Sequence, residues 1–400
     1  MKVAVLGAGL AGVTTAWELA RDGHQVVVVD RGPEVATGAS FANGGIVAAS
    51  RPYAWGGPDR IRWQADWLFW RWWLMHRASR GPGSARGIFD AKARLVRYSQ
   101  QRHAALVAET GIAYGRLANG VLYLYRAAEA LERAWLRSAA MRDRGCIIER
   151  LDAAQAAARE PGLGKGAIAG ALYAPGDEAG DSAQFCRELA QRCRAKGVHF
   201  YLECELTGTS VVDQTMTEAI TSKGRIRADA YVFALGAYEP RLREHLGTPP
   251  PVYPVKGYST TLALRDAAAA PRHAGMDEAR GIAWCPMVGR LRVTGGAELG
   301  GYDRSHAPED FAPLHRTIEE LFPGAADVSS TAHAHQWACL RPMTPQSTPR
   351  LGTGRVSNLY FNAGHGHMGW AMAAGSARIV ADLVAGKAPE IDLEGLRLRR

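Results

Sequence analysis

The chain has 400 residues, 48 of them lysine or arginine and 39 aspartate or glutamate, which gives a formal net charge of +9 at pH 7. Hydrophobic residues make up 47% and charged residues 22%, as in globular proteins rather than disordered ones, and the length predicts two domains. The basic balance fits nucleic acid, an anionic membrane surface or an acidic substrate. Because the sequence has no long lysine run, we favour a solvated arginine-rich surface and expect no nucleic-acid partner.

The first thirty residues predict a strand, a glycine turn, a helix and a second strand. Lys2 to Leu6 is a short apolar run, and a GxGxxG segment from Gly7 to Gly12 follows it directly. In this motif the first glycine permits the tight turn, the second lets the backbone approach a pyrophosphate, and the third lets the helix pack on the strand. The helix should run from about Ala11 to Arg21, with its N-terminus forming an anion site, and end at Gly23.

The second strand, Gln25 to Val29, is apolar enough to be a buried parallel strand. Asp30 follows it, and an acid at this position accepts the hydroxyls of an adenosine ribose but repels a 2′-phosphate. The opening unit therefore predicts a dinucleotide other than NADP.

Two segments follow that carry alternative interpretations. The loop from Thr37 to Gly45 is rich in glycine and small polar residues, so Ser40 and Asn43 suit a flavin's ribityl chain and pyrophosphate. The alternative is an ordinary connecting loop that binds no ligand. The segment Ile61 to Arg77 contains five tryptophans among arginines, including Trp63, Trp67 and Trp70 on one helical face. It fits an interfacial membrane helix and an inter-domain packing helix equally well, whereas Gln64 and Asp66 exclude a spanning helix.

The middle of the chain predicts helices over 91–109 and 127–144, a strand over 120–125, and a helix over 182–196. The acidic cluster at 177–181 invites a metal interpretation, but Asp181 is better explained as the N-cap of the last of these helices. The strand within 228–236 ends in glycine and again brings backbone towards the dinucleotide. Between 253 and 301 short alternating strands with glycine and proline turns predict an antiparallel sheet.

The C-terminal region repeats the logic of the opening unit. A strand over 358–362 leads into a glycine and histidine turn over 363–369 and then a helix over 370–384. A helix N-terminus here would stabilise the negative charge that a flavin gains on reduction, a need that a nicotinamide enzyme does not have. His365 and His367 lack a third ligand nearby, so we interpret them as loop residues beside the ring and predict no metal.

Arg341 lies between Leu340 and Pro342, where burial without an anionic partner would be costly. Its planar guanidinium suits a substrate carboxylate, and a structural ion pair is the alternative.

The cysteines do not indicate a redox or metal site. The cysteines form no CxxC pair and no metal-ligand spacing, so we expect reduced core residues.

The sequence also bears on location. Because Met1 leads directly into the first strand and no apolar run reaches about 18 residues, we expect no signal peptide or spanning helix. We therefore expect a cytoplasmic location, or a peripheral one on the cytoplasmic face of the membrane.

The motifs together resemble the small-subunit type of D-amino acid dehydrogenase, within the D-amino acid oxidase and glycine oxidase family of FAD enzymes. The resemblance extends nearly end to end and rests on VLGAGLAGVTTAWELARDGHQVVVVDR, SFANGG, DEAGD, ADAYVFALGAY, YPVKGYS, LRPMTP and NAGHGHMGWAMAAGS. It implies that Arg341 binds the substrate carboxylate. Our own further candidates at the site are Tyr258 and Tyr253 for hydroxyl contacts and Lys256 near the ring. For FAD it implies Gly7 to Gly12, Asp30, Ser40, Asn43, Gly236 and the loop from Gly364 to Gly369. With residues beside these added, the predicted FAD-binding residues are Gly7, Ala8, Gly9, Leu10, Ala11, Gly12, Asp30, Arg31, Ala39, Ser40, Asn43, Gly44, Gly45, Leu206, Ala234, Leu235, Gly236, Gly364, His365, Gly366, His367, Met368 and Gly369.

The chain also departs from the family pattern near the expected site. Ile46 stands where a glutamine is usual, Cys339 replaces a common glycine, and Gln346 and Ser347 replace Asp-Gly. These differences leave a cyclic imino acid or substituted proline open as the substrate.

We therefore predict an α/β plus α+β protein with a discontinuous Rossmann-type FAD-binding domain (residues 1–60, 146–236 and 337–400) and a second, mainly antiparallel substrate domain (61–145 and 237–336). The predicted activity is FAD-dependent oxidative deamination of an amino acid, of D configuration, by hydride transfer from Cα to flavin N5. A quinone-type acceptor would take the electrons. The alternatives are an amine or imino acid oxidase using oxygen, an NAD-linked dehydrogenase, a flavoprotein acting on a substrate other than an amino acid, and a flavoprotein that is non-catalytic or acts on nucleic acid.

Overall fold

The computed structural model describes residues 1–62, 67–238, 251–328 and 334–398. Trp63, Gln64 and Asp66, which entered the interpretation of the tryptophan-rich segment, lie outside the described residues.

The helices of the described residues are α1 (Leu10–Arg21), α2 (Trp67–Ala78), α3 (Pro82–Thr110), α4 (Ala128–Arg142), α5 (Ala153–Arg159), α6 (Ser182–Ala195), α7 (Ala312–Leu321) and α8 (Gly369–Val384), with short 3₁₀ helices at Pro308–Phe311 and Gly366–Met368. The strands are β1 (Lys2–Leu6), β2 (Gln25–Val29), β3 (Ile46–Val47), β4 (Arg60–Ile61), β5 (Val121–Tyr125), β6 (Glu149–Asp152), β7 (Gly170–Ala174), β8 (Glu178–Ala179), β9 (His199–Tyr201), β10 (Leu206–Val212), β11 (Thr215–Thr221), β12 (Gly224–Ile226), β13 (Ala230–Phe233), β14 (Tyr253–Ala263), β15 (Ala274–Asp277), β16 (Ile282–Met287), β17 (Arg290–Leu299), β18 (His335–Met343), β19 (Arg350–Thr353) and β20 (Leu359–Ala363).

A six-stranded sheet has the order β19, β20, β13, β1, β2, β9. Its pairs are parallel except that β19 runs antiparallel to β20. Side-chain alternation explains why the opening strand is apolar throughout. Val3 and Val5 face the core shared with α1, α3, α6 and α8, whereas Ala4 and Leu6 face a core on the opposite side, which the small sheet of β10, β11 and β12 covers.

A nine-stranded sheet has the order β18, β14, β17, β16, β15, β5, β7, β6, with β4 beside β17. β14 pairs antiparallel with both β17 and β18, as the short alternating strands predicted. α7 covers one face through Leu314, Ile318 and Leu321. The predicted fold class, a Rossmann-type unit joined to a mainly antiparallel sheet, is confirmed.

Sheet membership divides the chain differently from the predicted domain bounds. β6, β7 and β18 pair within the nine-stranded sheet, although we placed 146–236 and 337–400 in the FAD-binding domain. Conversely, Ala91 and Leu95 of α3 pack in the core of the six-stranded sheet, although we placed 61–145 in the substrate domain. Pairing between distant segments decides these assignments, and local patterns do not reveal it.

Asp181, in the acidic cluster ahead of α6, is the N-cap that we predicted. The Asp181 carboxylate accepts the backbone N–H groups of Ala183 (2.9 Å) and Gln184 (3.2 Å). Asp177 is buried and accepts hydrogen bonds from the hydroxyls of Ser50 and Tyr123. Asp177 therefore ties the loop after β3 to β5, and Asp181 caps α6.

Candidate active site

A cavity of about 1480 Å³ lies where the two large sheets meet. This volume exceeds the roughly 300–1,000 Å³ of a site for one small ligand. One side is formed by the segments that follow the carboxyl ends of β1, β2, β13 and β20, and the other by residues of β14 to β18. The carboxyl edge of a parallel sheet is where dinucleotides bind in such folds.

The glycine turn after β1 has the geometry that the motif predicted. Gly7 has a φ of +113°, and a Cβ there would lie 2.3 Å from the carbonyl oxygen of Ala234. At Gly12, a Cβ would lie 1.8 Å from the Gly7 carbonyl oxygen, so α1 packs against the turn as closely as backbone allows. Gly7, Gly9, Leu10 and Ala11 line the cavity, which places the N-terminus of α1 at its wall.

Asp30 joins the two loops at this edge of the sheet. Its carboxylate accepts the N–H of Ala8 on one oxygen and the N–H of Gly32 on the other, each at 2.7 Å. Ala8 itself does not line the cavity, but Asp30 and Arg31 do. The Arg31 guanidinium stacks 3.7 Å from the centre of the Tyr238 ring. Asp30 retains lone pairs for a ribose, and that role stays a prediction.

The loop between β2 and β3 bridges the two sheets. Ser40 Oγ accepts the N–H of Leu10 at 3.0 Å, and Asn43 Oδ1 accepts the N–H of Gly45 at 2.9 Å. A Cβ at Gly45 would lie 2.8 Å from both the Cys285 Sγ and the Gly180 carbonyl oxygen. Further lining residues predicted from the sequence are Ala39, Gly44, Leu206, Ala234, Leu235 and Gly236.

The turn between β20 and α8 closes the cavity from a third direction. Gly364 and Gly366 have positive φ values of +76° and +59°, and all residues from Gly364 to Gly369 line the wall. His365 Nε2 lies 2.9 Å from Ser376 Oγ. Burial lowers the pKa of His365 to about 4 and holds the pKa of His367 well below its usual value, so both imidazoles are neutral at pH 7.

Arg341 reaches the cavity from β18. Its Nη1 donates to the carbonyl oxygen of Gly296 at 2.6 Å, and its guanidinium lies over Gly257, where a Cβ would come 2.3 Å from Cζ. No carboxylate of a described residue lies within 4.0 Å of it. Over the described part of the chain, the structural ion pair considered as the alternative is therefore absent.

The other three catalytic candidates are held by structural partners. Tyr258 lines the cavity, but its hydroxyl donates to Glu298 at 2.9 Å. Tyr253 and Lys256 do not line it. Tyr253 is buried against α2 and accepts the N–H of Gly301 at 3.1 Å, whereas Lys256 Nζ donates to the Ser305 carbonyl oxygen. Since Val255 pairs with Arg341, side-chain alternation turns Lys256 to the opposite face of β14.

A polar group of the wall escaped the sequence analysis. Arg51 donates to Tyr125 (2.6 Å) and to Glu278 (2.7 Å), and its guanidinium lies 4.7 Å from the centre of the Tyr123 ring. Arg51, Tyr123 and Glu278 all line the cavity. Arg51, Tyr123 and Glu278 come from separate strands and loops, so no local sequence motif predicts that they meet.

The comparisons with known proteins identify the family. A family model described as FAD dependent oxidoreductase, DAO, matches residues 2–383. The chain belongs to the DAO family. D-amino acid dehydrogenase of Granulibacter bethesdensis is 40% identical, over 100% of this chain and 99% of the relative. D-amino acid dehydrogenase 2 of Mesorhizobium japonicum is 37% identical, over 99% of both chains.

Solved structures of DAO-type enzymes share the fold. Glycine oxidase from Geobacillus kaustophilus has a TM-score of 0.82 and 25% identity, over 100% of this chain and 98% of the other. L-proline dehydrogenase from P. horikoshii has a TM-score of 0.78 at 19% identity, over 97% and 94%, a likeness of fold alone.

DAO membership makes this chain an oxidoreductase with FAD as its cofactor and contradicts the NAD-linked alternative. The cavity fits that cofactor on its own evidence. The N-terminus of α1 and the turns at Gly236 and Gly364 present backbone without Cβ atoms, which lets a pyrophosphate and a flat ring approach closely.

Proposed function

We propose that this DAO-family chain is an FAD-dependent D-amino acid dehydrogenase. The observation that carries the proposal is Arg341, a guanidinium without a described acid partner in the same cavity as the dinucleotide turn. Relatives near 40% identity over the whole chain bear that name, which supports D-amino acids as the substrate class.

The chain's own residues would act by positioning. Bound FAD supplies the acceptor for the hydride that leaves the substrate Cα. The turn at Gly7 to Ala11 and Asp30 would hold its pyrophosphate and ribose, and the turn from Gly364 to Gly369 would face its ring. Arg341 would fix the substrate carboxylate through its planar fork, and the two enclosing sheets would limit the access of water to it. Placement of Cα relative to the ring then provides most of the rate.

The product is an imino acid, which water hydrolyses to a 2-oxo acid and ammonia, whereas a cyclic substrate gives a ring imine. A cyclic or substituted proline is a specific candidate, because two residues that depart from the family pattern, Ile46 and Cys339, both line the cavity.

The test is anaerobic reduction of the bound flavin by both enantiomers of the amino acids, with proline included. We expect one FAD per chain and bleaching of its visible absorbance by D-amino acids at least tenfold faster than by their L enantiomers. A folded protein that takes up no FAD, or one whose flavin no amino acid reduces, would contradict the proposal.

For the electron acceptor we propose a membrane quinone, reached by peripheral contact through α2. One face of this helix packs inside the protein through Leu68, Phe69 and Trp72. The other exposes Trp67, Trp70 and Leu74, with exposed fractions of 59%, 45% and 63%. Aromatic and aliphatic side chains beside arginines suit a bilayer interface. No helix of the described residues is long and apolar enough to cross a membrane.

We expect the FAD-loaded protein to bind vesicles of phosphatidylglycerol and phosphatidylethanolamine and to reduce a soluble quinone analogue faster than oxygen. Replacing Trp67, Trp70 and Leu74 together by serine should weaken vesicle binding at least roughly tenfold, because each loses buried apolar area. Leu136→Ser, at a residue with 64% exposure on α4, is the control. Equal binding by all three proteins would exclude this face, and equal rates with oxygen and quinone would exclude the proposed acceptor.

A further inference from the structure

Lys92 of α3 is a buried cation that the proposed mechanism does not use. Its side chain is completely inaccessible to solvent, at 0% exposure. Its neighbours Ala91 and Ala93 are also buried, and they belong to two different hydrophobic cores. Because α3 is covered on both sides at this level, the amine cannot extend to water as exposed lysines do.

The amine has little to compensate its charge. Its Nζ donates to the carbonyl oxygen of Tyr53 at 2.6 Å, and no carboxylate of a described residue lies within 4.0 Å. Burial lowers the pKa of Lys92 to about 7. A buried ammonium without an anion is costly, so an anion that arrives or forms nearby would stabilise it.

The position of Lys92 relates it to the cofactor side of the cavity. Tyr53, its hydrogen-bond partner, and His367, whose pKa its charge helps to lower, both line the wall. His367 belongs to the turn that leads into α8, which we assign to the flavin ring. Lys92 itself does not line the cavity, so it acts across this wall rather than by contact.

We propose that Lys92 supplies a buried positive charge that favours the reduced cofactor, and that reduction draws one proton onto its amine. The inference rests on the proposed function only in requiring bound FAD. In substrate oxidation the Cα–H bond breaks and its electron pair reduces the cofactor, which gains negative charge. One further proton comes from water and forms the fourth bond of Lys92 Nζ.

The neighbouring groups do not titrate in the same range. Burial raises the pKa of Tyr53 and holds that of His367 well below its usual value, so both stay neutral between pH 7 and 9. The Arg51 and Arg137 guanidiniums lie over the Tyr53 ring, and arginine side chains do not lose their proton in proteins. The loss of one reduction-linked proton in Lys92→Met would therefore assign that proton to Lys92.

The test measures the two-electron reduction constant of FAD-loaded protein against a reference dye at several pH values, with no amino acid present. Above the pKa of Lys92 in the oxidised protein, from pH 7.5 to 9, the wild-type constant should fall about a hundredfold per pH unit, for two protons. In Lys92→Met it should fall about tenfold, for one proton, and lie at least tenfold lower at pH 7, equivalent to about 30 mV.

Lys92→Gln keeps a hydrogen-bond donor for Tyr53 but carries no charge, so it should behave as Lys92→Met does. Lys165→Met, at an exposed lysine, should match the wild type. If Lys92→Met and the wild type share one pH slope, or if Lys92→Gln restores the wild-type constant, the proposal is overturned. Because a dye supplies the electrons, its failure is distinct from the absence of amino acid oxidation.

Discussion

Arg341→Ala should weaken productive substrate binding by roughly a hundredfold while the protein stays folded and FAD-loaded. One of the five guanidinium N–H donors is used by the Gly296 carbonyl oxygen, which leaves the others for a carboxylate. Two charge-assisted hydrogen bonds in an enclosed cavity contribute on the order of 3 kcal/mol after desolvation, and about 1.4 kcal/mol corresponds to a factor of ten. The measurement is the substrate dependence of anaerobic flavin reduction.

Arg341→Lys is the control for charge. It keeps the cation but loses the planar fork, so it should recover only part of the loss. Both variants should melt within a few degrees of the wild type, because no described carboxylate is left unpaired. Wild-type saturation by substrate in a folded, FAD-loaded Arg341→Ala would remove this residue from the site.

Gly257→Ala should reproduce most of the substrate-binding defect of Arg341→Ala although the arginine itself is not replaced. The new Cβ would lie 2.3 Å from Arg341 Cζ and 2.4 Å from both Nη atoms. The flexible guanidinium can move, so the protein should fold, but its fork would leave the position set by the Gly296 carbonyl oxygen. We expect ten- to hundredfold weaker productive binding, since a displacement of about 1 Å can cost a hundredfold.

The double variant Gly257→Ala with Arg341→Met identifies the cause. If the glycine acts only through the arginine, the double variant should bind substrate no more weakly than Arg341→Met alone, which is the non-additivity expected of residues in contact. Gly56→Ala is a matched control, because Gly56 also lines the cavity but a Cβ there meets no atom within 4 Å. Additive effects in the double variant would show that Gly257 matters for another reason.

The parts of the fold that depend on neighbouring residues were predictable from the sequence. β1 and β2 have the predicted bounds, and α1 begins one residue earlier than expected. Here a strand, a turn and a helix specify one another over thirty residues. The same holds for the cap at Asp181 and for the turn before α8, where glycine and helix signals are adjacent.

The predictions that failed concern residues whose positions depend on contacts between distant segments. Lys256 and Tyr253 belong to the YPVKGYS motif that suggested them. Strand alternation turns Lys256 away from the cavity, and Tyr253 is packed against α2 instead. A register irregularity in β14 between Lys256 and Tyr258 also breaks the simple alternation on which a sequence argument relies. Arg51 and Glu278 meet through tertiary folding alone, so neither residue is marked in the sequence.

The order of strands in the six-stranded sheet has a consequence for how the enzyme is made. Val3 pairs with Ala230, and Tyr231 pairs with Leu359, so the centre of the sheet joins strands that are far apart in the sequence. During translation one edge of β1 stays unpaired until β13 has been synthesised, and the turn that leads into α8 is synthesised later still. Unpaired strand edges and late long-range contacts slow folding and favour aggregation. FAD therefore finds its complete site only after the turn that leads into α8 has been made, and cofactor supply should influence how much newly made protein reaches the native state.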